Sequence, residues 1–354
     1  MSSPPAGRQT ERGLSRERAI RRRRGGAGLG LLVLVVLLVA LLSGGGSGHG
    51  TRAGAGSRPT SSARSTPAAV HVLVSAAGTL PTAIQDAAAA PDGRGGALLL
   101  GGLDAAESSV ADVLRLEAGK ANRIGELPTA LHDACAGSLA SGVYLFGGGQ
   151  SASFSQVYAI DAAGAATASG SLPTPASDVA CATVGNVIYV VGGYTGQEPL
   201  RTILAWQPGG AQRVAGTLPK PLRYAAVGQL GGKVIIAGGT SGEQASRAIY
   251  SFDPASGGVR QIGLLPAALT HAAGLPLAGS LLVIGGRGSA TASGTQTASI
   301  LAVSPTGIVS SAGRLPRPAS DIAAVQSGGH LLLAGGQDAE GAPQSSILEL
   351  SASP

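Results

Sequence analysis

The 354-residue sequence is poor in aromatic residues (3%), cysteine (2), methionine (1) and charge (12%). So few aromatic side chains leave little of the stacking surface that marks many sugar-binding sites. No GxSxG, HExxH or phosphate-loop pattern occurs, so the usual signatures of α/β-hydrolases, zinc proteases and P-loop nucleotide binders are absent. We therefore assign no catalytic residue, no metal ligand and no cofactor from motifs. This absence favours a binding protein over an enzyme.

The charge is distributed unevenly along the chain. The net charge is +6, but the first 24 residues contain eight arginines and residues 44–67 contain three more, so residues 68–354 carry 14 basic and 17 acidic side chains. Nucleic-acid binding depends on clustered Lys and Arg that neutralise phosphates. We therefore expect no nucleic-acid partner.

The first 43 residues predict export. A basic segment, 1–24, precedes 19 uncharged residues, GGAGLGLLVLVVLLVALLS (25–43), and this order predicts a cytoplasmic tail followed by a transmembrane signal anchor. The alternative is a cleaved signal peptide and a secreted product. No cysteine lies near the apolar run, which excludes a lipid-modified N-terminus. Residues 44–67, rich in Gly, Ser, Thr and Pro, are expected to form a flexible linker.

Two motifs recur together at a period of 45 to 50 residues. A Leu-Pro pair begins at Leu80, Leu127, Leu172, Leu218, Leu265 and Leu315. A Gly-Gly pair begins at Gly101, Gly147, Gly192, Gly238, Gly285 and Gly335. A fixed period of this size indicates a repeat architecture whose units bury their apolar faces against one another.

Each repeat divides into four short strands separated by turn signals, and no repeat offers a helical period. Four-stranded units arranged radially form a β-propeller. The last repeat ends after three strands, whereas an unpaired strand-like segment, 71–80, precedes the first Leu-Pro pair. We therefore predict an all-β, six-bladed propeller over 68–354, preceded by the anchor helix, with the sixth blade closed by the strand at 71–80.

The repeats resemble Kelch repeats. The second strand of each unit ends in the glycine doublet, an aromatic residue stands just before it at Tyr144 and Tyr189, and one third strand ends in Asp253-Pro254. The family's tryptophan before the fourth strand is missing, and Trp206 lies in a third strand instead. In peptide-binding Kelch propellers, one loop face reads the partner, and the resemblance implies the same for this chain.

The candidate binding face carries the loops that follow the doublets, which are longer and more polar than the opposite turns. The same face is expected to receive polar residues near position −14 from each doublet, with their neighbours and some residues after the doublets. These candidates are Asp86, His132, Asp133, Asp178, Tyr194, Arg223, Tyr224, His271, Arg287, Asp321 and Gln337. They suggest a polar ring at the propeller mouth. The alternative is that the ring aspartates cap turns by accepting local backbone N–H groups.

Cys135 and Cys181 lie 12 and 11 positions before Gly147 and Gly192. On alternating strands these offsets direct the two side chains to opposite sides. We interpret them as small buried apolar residues, with a disulfide as the alternative.

The resemblance also bears on enzymatic chemistry. Copper-radical oxidases share a Kelch-like propeller but require a linked Cys and Tyr with two His ligands, and only His132 and His271 are expected on the candidate face. Sialic acid mutarotases have a similar fold, so a sugar-active enzyme is the alternative to the leading hypothesis. That hypothesis is an extracytoplasmic, membrane-tethered propeller that binds a protein or a glycan, whose identity the sequence does not supply. A scaffold without a small ligand is the third alternative.

Overall fold

A computed structural model describes residues 70–292 and 294–352. These residues form six antiparallel four-stranded sheets, which are the blades of a β-propeller. The predicted all-β, six-bladed architecture is therefore confirmed. The predicted tail, anchor and linker, 1–67, lie outside the described residues, and within the described residues no helix is long and apolar enough to span a bilayer.

Blades 1 to 5 are continuous in sequence, and their strands run from the innermost to the outermost in chain order. Blade 1 contains β2 (Ala88–Pro91), β3 (Ala97–Leu100), β4 (Asp112–Glu117) and β5 (Lys120–Glu126). Blade 2 contains β6 (His132–Leu139), β7 (Gly142–Gly149), β8 (Gln156–Ile160) and β9 (Ala166–Ser171). Blade 3 contains β10 (Ala180–Val184), β11 (Val187–Val191), β12 (Thr202–Trp206) and β13 (Arg213–Thr217). Blade 4 contains β14 (Ala226–Leu230), β15 (Lys233–Ala237), β16 (Ser246–Asp253) and β17 (Gly258–Leu269). Blade 5 contains β18 (Ala273–Leu277), β19 (Ser280–Ile284), β20 (Ser299–Val303) and β21 (Val309–Arg314).

Blade 6 joins the two ends of the propeller. Its strands are β23 (Ala323–Ser327), β24 (His330–Ala334), β26 (Gln344–Ala352) and β1 (Val72–Ile84). Strand β1 pairs with β26 from Val72 opposite Ala352 to Ile84 opposite Gln344, so it extends beyond the predicted 71–80. A small sheet of β22 (Ala319–Ser320) and β25 (Gln337–Asp338) lies beside this blade. The first strand thus covers an edge that would otherwise be unpaired.

The core is divided into six apolar clusters, one between each pair of neighbouring blades. Most of their members are Leu, Ile, Val and Ala. Between blades 2 and 3, Trp206 packs against Tyr144 and Phe146, with ring centroids 4.6 and 5.0 Å apart. The tryptophan of the third strand therefore supplies inter-blade packing from a position different from that of typical Kelch repeats.

Candidate binding site at the channel mouth

Six residues, one from each repeat, form a closed ring of backbone hydrogen bonds at one end of the central channel. We call this set the mouth ring; its members are Asp86, Asp133, Asp178, Tyr224, His271 and Asp321. Each residue donates its N–H to the carbonyl oxygen of the ring residue in the preceding repeat, at 2.8 to 3.2 Å, and Asp86 closes the circle by donating to Asp321. The hydrogen bonds fix all six side chains around one axis.

The mouth-ring residues have φ angles between 54° and 58°, in the left-handed region. Asp and His enter this region more readily than most residues, whereas a tyrosine is uncommon there. Part of the Asp pattern is therefore explained by backbone conformation alone. Tyr224 is not explained in this way, so its side chain must be favoured for another reason.

The glycine doublets bring the long loops to the ring. In blade 3, Gly192 has a φ of 61° and lies so close to Leu222 that a Cβ atom would clash with the Leu222 carbonyl oxygen. Immediately after the doublet, Tyr194 exchanges backbone hydrogen bonds of 2.7 and 2.9 Å with Ser177, the neighbour of Asp178. The loops that follow the doublets therefore begin beside the mouth ring, as the sequence predicted. We call the ring and these loops together the loop face.

The ring carboxylates do not behave as turn caps. Among residues 70–292 and 294–352, five other aspartates accept backbone N–H bonds from residues two to four positions later: Asp92, Asp104, Asp161, Asp253 and Asp338. In the same described residues, no backbone N–H donates to a mouth-ring carboxylate. The proposed capping role is therefore not found, and their oxygens face other side chains.

Two ring aspartates are bound to hydroxyl groups beside a stacked pair of rings. The Tyr224 hydroxyl donates to Asp133 Oδ2 at 3.0 Å, reaching past Asp178, which lies between them in the ring. The His271 imidazole stacks on the Tyr224 ring, with centroids 3.7 Å apart. The Ser320 hydroxyl donates to Asp321 Oδ2 at 2.6 Å, and His271 Nε2 lies 4.0 Å from Asp321 Oδ1. Tyr224 and His271, the two ring residues that are not aspartate, are thus in direct contact with each other.

Arg223 compensates the charge of one ring carboxylate. Its Nε lies 2.7 Å from Asp178 Oδ2, an ion pair that lacks hydrogen-bond alignment. The guanidinium lies 4.4 Å from the centroid of the Tyr194 ring and 4.8 Å from that of Tyr224. Cation–π contacts of this kind hold an arginine in place as well as stabilising it. Arg223 is therefore an oriented part of the site.

The remaining predicted residues lie around the ring. His132 Nε2 is 3.6 Å from Asp133 Oδ2, and its Nδ1 is hydrogen-bonded to the Ser109 hydroxyl at 2.8 Å. Arg287 donates to Gln337 Oε1 at 3.4 Å. All eleven predicted residues are thus brought to the loop face.

Gln85 belongs to the same network but was missed by the sequence reasoning. Its side-chain oxygen accepts a 3.0 Å hydrogen bond from Gln337 Nε2, and the residue is buried. Its position directly before Asp86 could have identified it, because His132 and Arg223 also directly precede a ring residue.

Burial changes the protonation of the mouth ring. Desolvation and the neighbouring carboxylates raise the pKa of Asp86 and of Asp133 well above 3.8. Desolvation also raises the pKa of Asp178, although Arg223 opposes the shift. Desolvation lowers the pKa of His271 to about 3, with Asp321 opposing and Arg287 and Arg223 adding to the effect. His271 is therefore neutral at physiological pH, and burial opposes the ionisation of Asp86, Asp133 and Asp178.

The mouth ring encloses a cavity of about 120 Å³. Beneath it the channel, about 170 Å³, is lined mostly by alanines of the innermost strands. Within the part of the chain that the structure describes, no three His, Cys, Asp or Glu side chains converge closely enough to bind one metal ion. The cavity is the point where polar side chains from all six repeats meet.

Cys135 and Cys181 form a disulfide across the channel wall, with Cα atoms 5.5 Å apart. Our interpretation as two unlinked apolar residues was wrong. The offsets do place the cysteines on opposite faces of their own blades, since Cys135 pairs with Phe146 and Cys181 pairs with Val190, two positions before its doublet. Opposite faces of successive blades point toward each other, so both side chains enter the interface between blades 2 and 3.

Comparisons with known proteins support the fold. The family model for the Kelch motif matches residues 175–212, which correspond to the third repeat. A solved structure described as "Structure of YjhT" aligns with a TM-score of 0.67 and 14% sequence identity, over 78% of this chain and 99% of that chain. At this identity the similarity establishes the fold alone.

The same comparisons do not assign a function. No curated protein matches the sequence significantly. A large number of solved chains, 539, share the fold, and a fold this widespread accommodates many activities. The function of this chain therefore depends on the residues at the channel mouth. The resemblance seen in the sequence is confirmed to this extent: the Kelch-motif model matches one repeat of a six-bladed β-propeller.

Proposed function

We propose that the protein is an extracytoplasmic, membrane-tethered propeller that binds a protein or a glycan through the loop face. The observation that carries this proposal is the mouth ring, where partly or fully buried carboxyl groups have no backbone N–H partners among the described residues. Buried carboxylates whose pKa is raised reduce stability at neutral pH. Ionisable side chains that destabilise the folded protein and line a concave, polar site are typical of binding or catalytic surfaces.

Two features support the extracytoplasmic location. The basic segment and apolar run at 1–43 have the pattern of a signal anchor. The Cys135–Cys181 disulfide suits an oxidising compartment, because cytosolic thiols are kept reduced. Alkylation of the protein taken directly from cells would test this: two blocked cysteines support export, and two free thiols contradict it. An N-terminal peptide that is retained in the mature protein would favour the anchor over a cleaved signal.

A thermal-shift screen of the full-length protein in detergent tests the binding role. The panel contains sugars, sialic acids and cell-wall fragments, and a ligand present at about 100 times its dissociation constant is expected to stabilise the fold by roughly 2.7 kcal/mol. The double variant Asp86→Asn with Asp133→Asn should lose this shift. Glu117→Gln removes one negative charge from the turn between β4 and β5, on the opposite face, and should keep it. A ligand that stabilises all three proteins equally would argue against the mouth ring as the site.

A sugar-active enzyme resembling sialic acid mutarotases is the second candidate. It is favoured by the neutral His271 beside carboxyl groups whose pKa is raised by burial, since this pair of properties suits proton transfer. The two candidate functions differ in how many residues they depend on: the enzyme requires one decisive residue, whereas the binder shares its binding energy among several. If His271→Asn abolishes turnover of a sialic acid but preserves its binding, the enzyme replaces the binder. If no turnover occurs and several ring residues share the binding energy, the binder is supported.

A further inference from the structure

The charges at the mouth ring are not balanced. Four carboxyl groups line the cavity, whereas two guanidinium groups, Arg223 and Arg287, lie around it. Arg223 is paired with Asp178. The two histidines beside the ring do not compensate the remainder, because desolvation lowers the pKa of both His132 and His271. With every carboxyl ionised, two negative charges would remain without a counter-charge.

The polar atoms around the cavity are mostly acceptors. The single Tyr224 hydroxyl proton is already donated to Asp133. His271 is 6% exposed and lines the cavity, yet its Nδ1 has no hydrogen-bond partner among the described residues. In the neutral tautomer with the proton on Nε2, toward Asp321, Nδ1 is a free acceptor. When the ring carboxyls are ionised, a group that fills the cavity must therefore donate hydrogen bonds.

The volume of the cavity and the charge of its lining together limit the chemical class of the ligand. The acceptors are spread around a cavity of about 120 Å³ and do not converge on one point. An alkylammonium group carries one positive charge and three N–H donors that point in different directions. It matches both the charge deficit and the distribution of acceptors.

We propose that the mouth ring binds a primary ammonium group, which is carried by a lysine side chain, an amino sugar or a free alkylamine. This inference rests on the proposed binding function and names the chemistry of the group that enters the ring. The carboxylates of Asp86, Asp133 and Asp321 face the ammonium, and His271 Nδ1 accepts one of its hydrogen bonds. The loops of the loop face contact the remainder of the ligand.

Binding of such a cation is coupled to proton release. The groups that face the site are the four ring carboxyls, His271, Tyr224, His132, Arg223 and Arg287. A positive charge in the ring favours ionised carboxyls and so lowers the raised pKa of Asp86 and Asp133; protons bound to these groups are released as the ligand binds. Affinity is therefore expected to rise with pH until the amine itself deprotonates.

Isothermal titration calorimetry of the full-length protein tests the inference. The probes are glucosamine, lysine and 1,4-diaminobutane, and N-acetylglucosamine is the uncharged control. We expect an amine to bind at least about tenfold more tightly than the acetylated control and to weaken by about tenfold from about pH 8 to about pH 6. Repeating the titration in buffers of different ionisation enthalpy should reveal the released protons.

Variants identify the site. Asp86→Asn with Asp133→Asn should weaken amine binding by at least about tenfold. Glu117→Gln, which removes one charge at the turn between β4 and β5 on the opposite face, should leave it unchanged. Asparagine tolerates the left-handed conformation of these positions, so we expect the variant to fold. Preference for lysine over glucosamine would indicate a protein source for the ammonium, and the reverse would indicate a glycan; either supports the inference.

Other outcomes overturn it in distinguishable ways. Equal binding of glucosamine and N-acetylglucosamine, or affinity that increases as the pH falls, contradicts an ammonium site. Binding of Ca²⁺ or Mg²⁺ in place of the amines contradicts it as well. If a neutral or anionic ligand binds and the ring variant abolishes that binding, the ammonium inference fails while the proposed function stands. If the variant changes no binding at all, both fail.

Discussion

Aspartate has two different roles in the mouth ring and in the peripheral turns. Five turn aspartates, Asp92, Asp104, Asp161, Asp253 and Asp338, each accept backbone N–H bonds from the turn they begin. Four ring aspartates, Asp86, Asp133, Asp178 and Asp321, face other side chains, while their backbone N–H groups bond to the preceding repeat. Residue type alone therefore does not reveal which carboxylates hold the fold together.

The pKa shifts run in opposite directions in the two regions. Burial opposes ionisation of Asp92, but hydrogen bonds from Arg115 and from the N–H groups of Arg94 and Gly96 outweigh it and lower the pKa. Desolvation raises the pKa of Asp86 and Asp133, and their neighbouring carboxylates add to the shift. The turn carboxylate stabilises the fold as an anion. The ring carboxylates destabilise it as anions, which is consistent with selection for binding.

The largest expected effect is a difference in stability between two glycine variants, one beside the mouth ring and one in a peripheral turn. Gly192→Ala should destabilise the protein by about 2 to 4 kcal/mol, because the residue is left-handed and its Cβ would clash with the Leu222 carbonyl. Gly209→Ala, at a φ of 69° but with nothing near the added Cβ, should cost only about 1 kcal/mol. Urea unfolding of both variants measures the difference. Similar losses would mean that the doublet is not closely packed against the next repeat.

The next effect concerns a turn aspartate. Asp92→Ala should lower the free energy of unfolding by about 1 to 3 kcal/mol, because it leaves two backbone N–H groups and the Nε–H of Arg115 without their acceptor. The exposed turn residue Asp161, which has no such ion pair among the described residues, is the matched control. Asp161→Ala should cost less in the same unfolding assay. Equal costs would show that the buried ion pair of Asp92 contributes nothing.

A smaller effect is the pH dependence of stability. For Asp86 and Asp133 the folded pKa lies above the unfolded value near 3.8, so stability is lost as pH rises from 3.8 through the folded pKa. For Asp92 the folded pKa lies below 3.8, so its contribution is lost as pH falls through that lower value. Unfolding curves at a series of pH values should show that Asp86→Asn with Asp133→Asn gains on the wild type as pH rises. Asp92→Asn should instead fall behind it.

Much of the fold could be predicted because it repeats. Leu-Pro and Gly-Gly pairs mark each blade, and the unpaired segment before Leu80 indicated how the propeller closes. The position of the ring residues followed from their fixed distance to the doublets. Their hydrogen-bonded circle did not, because it links residues about 46 positions apart and closes only between the first and last repeats, at Asp86 and Asp321.

The disulfide shows what strand alternation alone omits. The offsets of Cys135 and Cys181 gave the correct face of each blade. Their meeting depends on how consecutive blades stack, which is a property of the assembled propeller. Trp206 is similar, since its contacts with Tyr144 and Phe146 come from the neighbouring blade.

The central claim is that the ring carboxylates serve binding and not folding. Urea unfolding of the Asp86→Asn, Asp133→Asn double variant at neutral pH tests it most directly. Asparagine accepts the left-handed backbone and imitates the protonated carboxyl, so we predict a free energy of unfolding equal to or higher than that of the wild type. A loss of about 2 kcal/mol or more would contradict the claim and assign the mouth ring to the fold itself.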